Sequence, residues 1–254
     1  MCIYERKSEM TETITNWFAD FKADFILNFI DGNRWQLLLD GLASTLKITA
    51  CAVLLGIAIG IVIAAIRSSH DKNQTKLRGL GGFILKFFNA VAKLYLTVIR
   101  GTPVVVQLMI MYFVIFASSN NKFLIAVLAF GINSGAYVAE IFRSGIMAVD
   151  EGQMEAGRSL GLNYFQTMIY IIIPQAFKTV LPTLANEFIV LLKETSVAGY
   201  VGMTDLTRAG DMIRGVTFSA FMPLIAVALI YLVMVIILTK LVSILERRLR
   251  NSER

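Results

Sequence analysis

"LASTLKITACAVLLGIAIGIVIAAI", residues 42–66, is apolar from end to end apart from Lys47 and a few small hydroxyl residues. A helix needs roughly 20 mainly apolar residues to cross a bilayer. This stretch is long enough, and a lysine near one end can carry its ammonium group to the interface. The rest of the chain agrees: 56% of its residues are hydrophobic and only 17% are charged, against about 25% in soluble domains. A soluble core this apolar would lack the polar surface to cover it.

Four further stretches have the same character: 94–117, with "RGTP" near its start; 123–142, holding "NSGAYVAE"; about 169–192, with Pro174, Pro182, Lys178 and Glu187; and 221–245, which runs into "ERRLRNSER". The expected fold is all-α, a polytopic bundle of about five transmembrane helices.

Charge sets the direction of the spans. Residues 67–93 carry Arg67, Lys72, Lys76, Arg78, Lys86 and Lys93 against Asp71 alone. The tail carries Arg247, Arg248, Arg250 and Arg254 against Glu246 and Glu253. Lys and Arg collect in cytoplasmic loops, so both segments are expected inside. Five spans then place the N-terminus outside. Residues 1–41 agree, with Arg6, Lys7, Lys22 and Arg34 set against Glu5, Glu9, Glu12, Asp20, Asp24, Asp31 and Asp40. The formal charge of +6 is thus read as loop charge in a membrane protein, and no nucleic-acid partner is expected. Three parts follow: an extracytoplasmic segment 1–41, a transmembrane domain 42–245, and a basic cytoplasmic tail 246–254.

"MCIYERKSEM" has no apolar run after its charges, so no secretory leader is expected there. Further on, Ile14, Phe18, Phe21, Phe25 and Phe29 recur at helical spacing with Asp20, Lys22 and Asp24 between them. Two readings are open: an amphipathic helix lying in the outer membrane interface, or one packed on the bundle.

Self-contained chemistry finds no support. There is no GxxxxGK[ST] phosphate loop, no GxSxG, no HExxH and no readable acid pair. "GLGGF" at 79–83 reads as a flexible bend. Cys2, Cys51 and His70 form no cluster or CxxC, so neither a disulfide framework nor a metal site is expected. His70 reads as a solvated loop residue. No catalytic residue and no cofactor is assigned to this chain.

Between the third and fourth stretches lies "EAGRSLGLNYFQTMIYIIIP", residues 155–174. Met154, Leu160, Tyr164 and Met168 recur along one side of a helix. Gly161 would end a first short helix, and Pro174 would kink or end the next. The residues alone leave two readings: a plain amphipathic loop, or a surface element offered to a soluble partner.

Glu155-Ala156-Gly157, then Gly161 and Ile171-x-Ile173-Pro174 at the matching spacing, resembles the EAA loop of ABC importer permeases. Gly157 for the third Ala and Ile173 for Leu are the departures. "RGTPVVVQLMIMYF" (100–113), "NSGAYVAEIFRSGI" (133–146) and "LANEFIVLLKETSV" (184–197) resemble the polar amino-acid branch of that family, the histidine, glutamine, arginine and cystine type. The resemblance covers about residues 40–245 and implies the transmembrane domain of a type I ABC importer. It also implies that the loop, about 151–174, docks on a separate cytoplasmic ATPase, with Glu155, Ala156 and Gly157 at the contact, Gly161 at the turn and Pro174 closing the motif. Small residues would permit close approach of backbones. ATP would be used by the partner ATPase alone. The further partners implied are a second permease copy or paralogue, an extracytoplasmic solute-binding protein, the amino acid itself and membrane lipid, in a bacterial inner membrane.

Polar groups at membrane depth mark candidate pathways. They are Gln107 in the second stretch; Asn133, Ser134, Tyr137 and Glu140 in the third; Asn186 and Glu187 in the fourth; and Lys193, Glu194 and Thr195 near its outer end. Together they offer donors for a carboxylate and acceptors for an ammonium group. Each also has a structural reading: Asn133 and Ser134 as interhelical hydrogen bonds, Glu140 paired with Arg100 or Arg143, and Lys193 with Glu194. Outside the membrane, Asp205, Arg208, Asp211 and Arg214 suit either a docking surface for the binding protein or a solvated loop. The leading reading is an ATP-driven importer of polar amino acids. The rivals are a gradient-driven carrier or channel using Glu140 or Glu187, a membrane enzyme using the same two carboxylates, and an ABC permease for another small solute such as methionine.

Overall fold

The computed structural model describes residues 16–72 and 79–251. "MCIYERKSEM", Ile14, Lys76, Arg78 and the last three residues lie outside that range. All described secondary structure is helical, and five helices are long and apolar enough to cross a membrane.

Helix α1, residues 16–25, runs through a wide π turn, Ile26–Ile30, into a left-handed turn at Gly32 and Asn33. Helix α2, Trp35–Lys72, is the first span and begins ahead of the apolar run that marks it in the sequence. Helix α3, Gly79–Gly101, is the second. This corrects the expected span 94–117. "GLGGF" opens a helix instead of bending a loop, and "RGTP" ends it. Pro103 has no N–H to continue the ladder; it caps the short helix α4, Val104–Ile110, which continues in a π turn, Met111–Ile115. Lys86 and Lys93, which read as loop charges, are therefore exposed residues of a span. His70, read as a loop residue, lies within α2 with Nδ1 3.4 Å from Asp71 Oδ1.

Helix α5, Lys122–Met147, is the centre of the bundle. It runs parallel to α2 at close range: a Cβ on Gly60 would meet Val138 Cγ1 at 2.5 Å, and one on Gly131 would meet Leu55 Cδ2 at 2.7 Å. Small residues give this approach, which is how membrane helices associate where no hydrophobic force separates lipid from protein. Tyr95 of α3 donates to the Ile132 carbonyl of α5 at 2.6 Å.

The fourth span is longer than the expected 169–192. A continuous helical run, Tyr164–Val201, comprises α7 (Tyr164–Thr167), a π turn (Met168–Ile172), α8 (Ile173–Glu194) and a 3₁₀ turn (Thr195–Val201). The short helix α6, Glu151–Ser159, precedes it. Helix α9, Leu206–Thr217, is too short to span and packs on α2, where the Leu206 N–H donates to Thr45 Oγ1 at 3.1 Å. The last span, α10, is Phe221–Asn251.

Candidate functional site

Two features stand out: the elbow between α5 and α8, and the polar groups inside the bundle. The elbow is built from capping chemistry. Asp150 accepts the Gly152 N–H at 2.7 Å and so starts α6. Gly161 ends it with φ +84°, a backbone region that costs L residues about 1–2 kcal/mol, and the Leu162 N–H closes onto the Gly157 carbonyl at 3.2 Å. Asn163 and Gln166 then form a reciprocal capping box, both bonds at 2.9 Å, which starts α7.

Gly157 faces the other way from the expected partner contact. It is buried, and a Cβ there would lie 2.5 Å from Thr167 Cγ2 and 2.9 Å from Ile171 Cδ1. Its smallness lets α6 lie against its own chain. Glu155, Ala156, Leu160, Gly161 and Phe165 are exposed. Pro174 does not end the helix: the π turn Met168–Ile172 precedes it, Pro174 stands in the first turn of α8, and the helix goes on to Glu194. Gln175 Nε2 donates to Gln153 Oε1 at 3.2 Å and ties α8 back to α6.

Inside the bundle the candidate pathway residues separate into groups. Gln107 caps the broken end of α3. Its Nε2 donates to the Ile99 carbonyl at 2.7 Å and to the Thr102 hydroxyl and carbonyl at 2.8 and 3.1 Å, while its Oε1 accepts from Asn133 Nδ2 at 3.0 Å. Asn133 is buried. Ser134, also buried, donates to Glu187 Oε1 at 2.9 Å and joins α5 to α8. Thr195 is buried too, donating to the Leu192 carbonyl at 2.8 Å and lying 3.4 Å from Thr49 Oγ1. Lys193 and Asn186 are exposed, and Glu194 is half-buried.

Tyr137 and Glu140 belong elsewhere. They line a cleft of about 590 Å³ with Arg67, Lys93, Thr97 and Arg100. The Arg100 guanidinium lies 5.6 Å from the Tyr137 ring centre and 3.8 Å from Glu140 Oε1. Arg143 Nε bonds Glu140 Oε2 at 3.1 Å, and Arg143 also reaches Asp71 at 3.8 Å. The sequence reading missed Arg67 and Lys93 as cleft residues, because both were counted with a loop; the helical spacing of 93, 96, 97 and 100 is the signal that places them on one face.

At the other end of the bundle Asp205 is buried. It caps α9 by accepting the Thr207 and Arg208 N–H groups at 3.0 and 3.2 Å. Burial pushes its carboxyl above the ordinary range, and those N–H donors work against that. Of the four charges read as one surface, only Arg208, Asp211 and Arg214 are outside, with Asp211 bonded to both arginines at 2.9 and 2.6 Å. That pairing, Arg214 foremost, holds its carboxyl below the usual range.

A bundle of five membrane helices with a capped helical elbow between its third and fourth spans defines a multi-span membrane protein. Residues 80–251 match the family described as "binding-protein-dependent transport system inner membrane component", and the chain belongs to that family. It is 37% identical over 219 residues to the arginine transport system permease protein ArtQ of Bacillus subtilis, covering 85% of this chain and 94% of that protein. To the glutamine transport system permease protein GlnP of Escherichia coli K12 it is 37% identical over 218 residues, covering 84% and 93%. A crystal structure of an amino acid ABC transporter with histidines is 43% identical with a TM-score of 0.75, over 87% of this chain and 98% of that one.

Proposed function

We propose that this chain is the membrane-spanning permease subunit of an ATP-driven ABC importer that carries polar amino acids into the cytoplasm. The observation that carries the reading is its 37% identity, over 84–85% of its length, to arginine and glutamine permeases. It works as a transport component and not as an enzyme. Two separate ABC ATPase subunits bind and hydrolyse the ATP, a second permease copy or paralogue completes the pore, and an extracytoplasmic binding protein delivers the amino acid. The chain itself holds no cofactor. The N-terminus is outside and the basic tail inside, as the Lys and Arg distribution favours.

The elbow Glu151–Thr167 is the coupling element. Glu155 and Ala156, with Leu160 and Phe165 beside them, form the surface offered to the ATPase. Gly161 sets the turn between the two short helices. Gly157 and Pro174 act inside the chain: Gly157 seats α6 on α7, and Pro174 starts the helix that carries the push into the membrane. Closure of the ATPase pair then moves α6, α7 and α8 as one connected piece.

The cleft beside Tyr137 and Glu140 is the segment of the pathway in which the cargo meets charge. An α-amino acid carries an ammonium and a carboxylate at once, and Glu140 stands among Arg67, Lys93 and Arg100 there. Gln107, Asn133, Ser134 and Thr195 hold the pathway's walls, while Asn186, Lys193 and Glu194 are its candidate contacts nearer the outer end.

The test is amino-acid uptake into proteoliposomes containing the chain, its ATPase and its binding protein. Glu155→Lys reverses an exposed charge at the proposed contact. Gly161→Pro imposes φ near −65° where the backbone has +84°. Uptake that requires ATP and is lost in both variants, with both still inserted and folded, is the expected result. Uptake that proceeds without the ATPase and ignores both changes would return the chain to the gradient-driven class.

A further inference from the structure

Helix α1 has a face that nothing among the described residues covers. Every residue from 16 to 27 is exposed, whereas Asn28 and Phe29 just beyond them are buried. At 100° per residue, Trp17, Phe18, Phe21 and Phe25 fall on one side of the helix, the side that Asn28 and Phe29 share. The rings form a ladder, with Trp17 stacked on Phe21 at 5.5 Å and Phe25 against Phe29 at 5.1 Å. Asn16, Ala19, Asp20 and Ala23 fall opposite.

The far end of the helix is anchored. Asn28 Nδ2 donates to the Asp24 carbonyl at 2.8 Å, and Asn28 Oδ1 accepts from Thr217 Oγ1 of α9 at 2.7 Å. Arg34 bonds the Leu27 carbonyl across the turn. The aromatic face thus begins on the bundle surface and continues past its edge for twelve residues, about 18 Å at ~1.5 Å per residue.

What lies beside the bundle at that level follows from the chain's own course. Only four residues separate the π turn that continues α1, Ile26–Ile30, from Trp35, which opens the first span, so that end of the helix is held at the depth at which the span enters the membrane. Tryptophan favours this boundary, its ring apolar and its N–H wet, and the two tryptophans of the chain, Trp17 and Trp35, bracket the helix. Phe218, directly after the Thr217 that bonds Asn28, and Phe221 at the start of α10 are also exposed.

We propose that α1 is a lipid anchor: its aromatic face rests in the headgroup–acyl boundary of the leaflet where the first span begins, and the Asn28–Thr217 bond fixes the bundle against that plane. An aromatic stripe backed by charged and small residues is the form that such in-plane helices take. The inference rests on the chain being membrane-spanning. It does not depend on cargo, ATPase or coupling.

The experiment places a nitroxide label at Phe21→Cys on the stripe or at Ala23→Cys opposite it, with Cys2 and Cys51 replaced, in the complete transporter in lipid nanodiscs. Collision rates with dissolved oxygen and with an aqueous nickel chelate are compared. The expected result is that the label at 21 favours oxygen over nickel several-fold more than the label at 23. A second label at Phe18→Cys should repeat the behaviour of 21, which guards against a local disturbance by the first. Equal access of nickel to 21 and 23 overturns the proposal by showing the stripe in water. Shielding of 21 from both reagents overturns it as well, by showing that a second copy or another protein covers the stripe. Neither readout requires transport, so the result stands apart from the uptake assay.

Discussion

Gln107 and Glu140 are both polar groups inside the bundle, and the structure uses them in opposite ways. Gln107 has each side of its amide engaged: the nitrogen serves the open end of α3, and the oxygen takes Asn133. Glu140 is half-buried, has one oxygen bonded to Arg143 at 3.1 Å, and faces a cleft of about 590 Å³ lined by Arg67, Lys93 and Arg100. In hydrocarbon an unsatisfied polar group costs several kcal/mol, so a polar side chain with all its partners inside the protein is spent on the fold. One that retains an open, charged surround is still able to meet a solute. Chemical type alone does not separate the two; completeness of partnering does.

The sharpest way to break this comparison is Gln107→Leu. It strips donors from Ile99 and Thr102 and the acceptor from Asn133. At about 0.6 kcal/mol per membrane hydrogen bond, the loss should come to about 2 kcal/mol. Thermal unfolding in detergent should shift down accordingly, and uptake by the protein that remains folded should keep its KM. A changed KM with unaltered stability would make Gln107 a cargo ligand instead.

Glu140→Gln should give the reverse pattern. The Arg100 and Arg143 pairs are partly exposed, and such pairs contribute less than about 1 kcal/mol, so the unfolding temperature should hardly move. Transport efficiency should fall about tenfold, equivalent to ~1.4 kcal/mol, read as kcat/KM for uptake at fixed ATP. Unchanged uptake would reduce Glu140 to a surface ion pair.

Asp205 sharpens the comparison from the turn between the fourth and fifth spans, as a buried carboxyl held by backbone N–H groups and the Thr207 hydroxyl. Its folded-state pKa is raised by burial. The stability tied to that shift is therefore fully present below the ordinary carboxyl range and is lost as pH rises through the raised value. Asp205→Asn keeps a good helix cap but cannot ionise. Relative to the parent it should gain stability as unfolding is followed from pH 4 to pH 7. A flat difference across that range would show the carboxyl to be adequately stabilised as an anion.

Much of this was legible in the residues. Uninterrupted apolar length marks the spans at 42–66, 123–142 and 221–245, because hydrocarbon thickness imposes it. The second span was misplaced because two competing signals overlap at 79–101: Lys86 and Lys93 imitate a loop, yet they recur at spacings of three and four with Gly82, Asn89 and Leu96, the residues the helix turns to the bundle. Periodicity over 79–101 would have resolved it. In the elbow, Gly161 and the Asn163–Gln166 box have local sequence signatures and could be read from them. The inward use of Gly157 could not, since nothing in the chain's linear order announces that Thr167 and Ile171 close over it. The same holds for Gln107, whose partners at 99, 102 and 133 meet only after Pro103 has broken the helix.

The smallest effect is the most discriminating. Asn133→Ala removes one bond to Gln107 and should cost about 0.6 kcal/mol, near the limit of a thermal measurement. Its value lies in the cycle with Gln107→Leu. The double variant should be less destabilised than the sum of the singles, because the Asn133–Gln107 bond is counted in both, and the difference should equal that one bond. Residues that touch are coupled in this way, and distant ones are additive. If the two changes add within error, Asn133 holds something other than Gln107 in the membrane, and the closed side of the comparison is open after all.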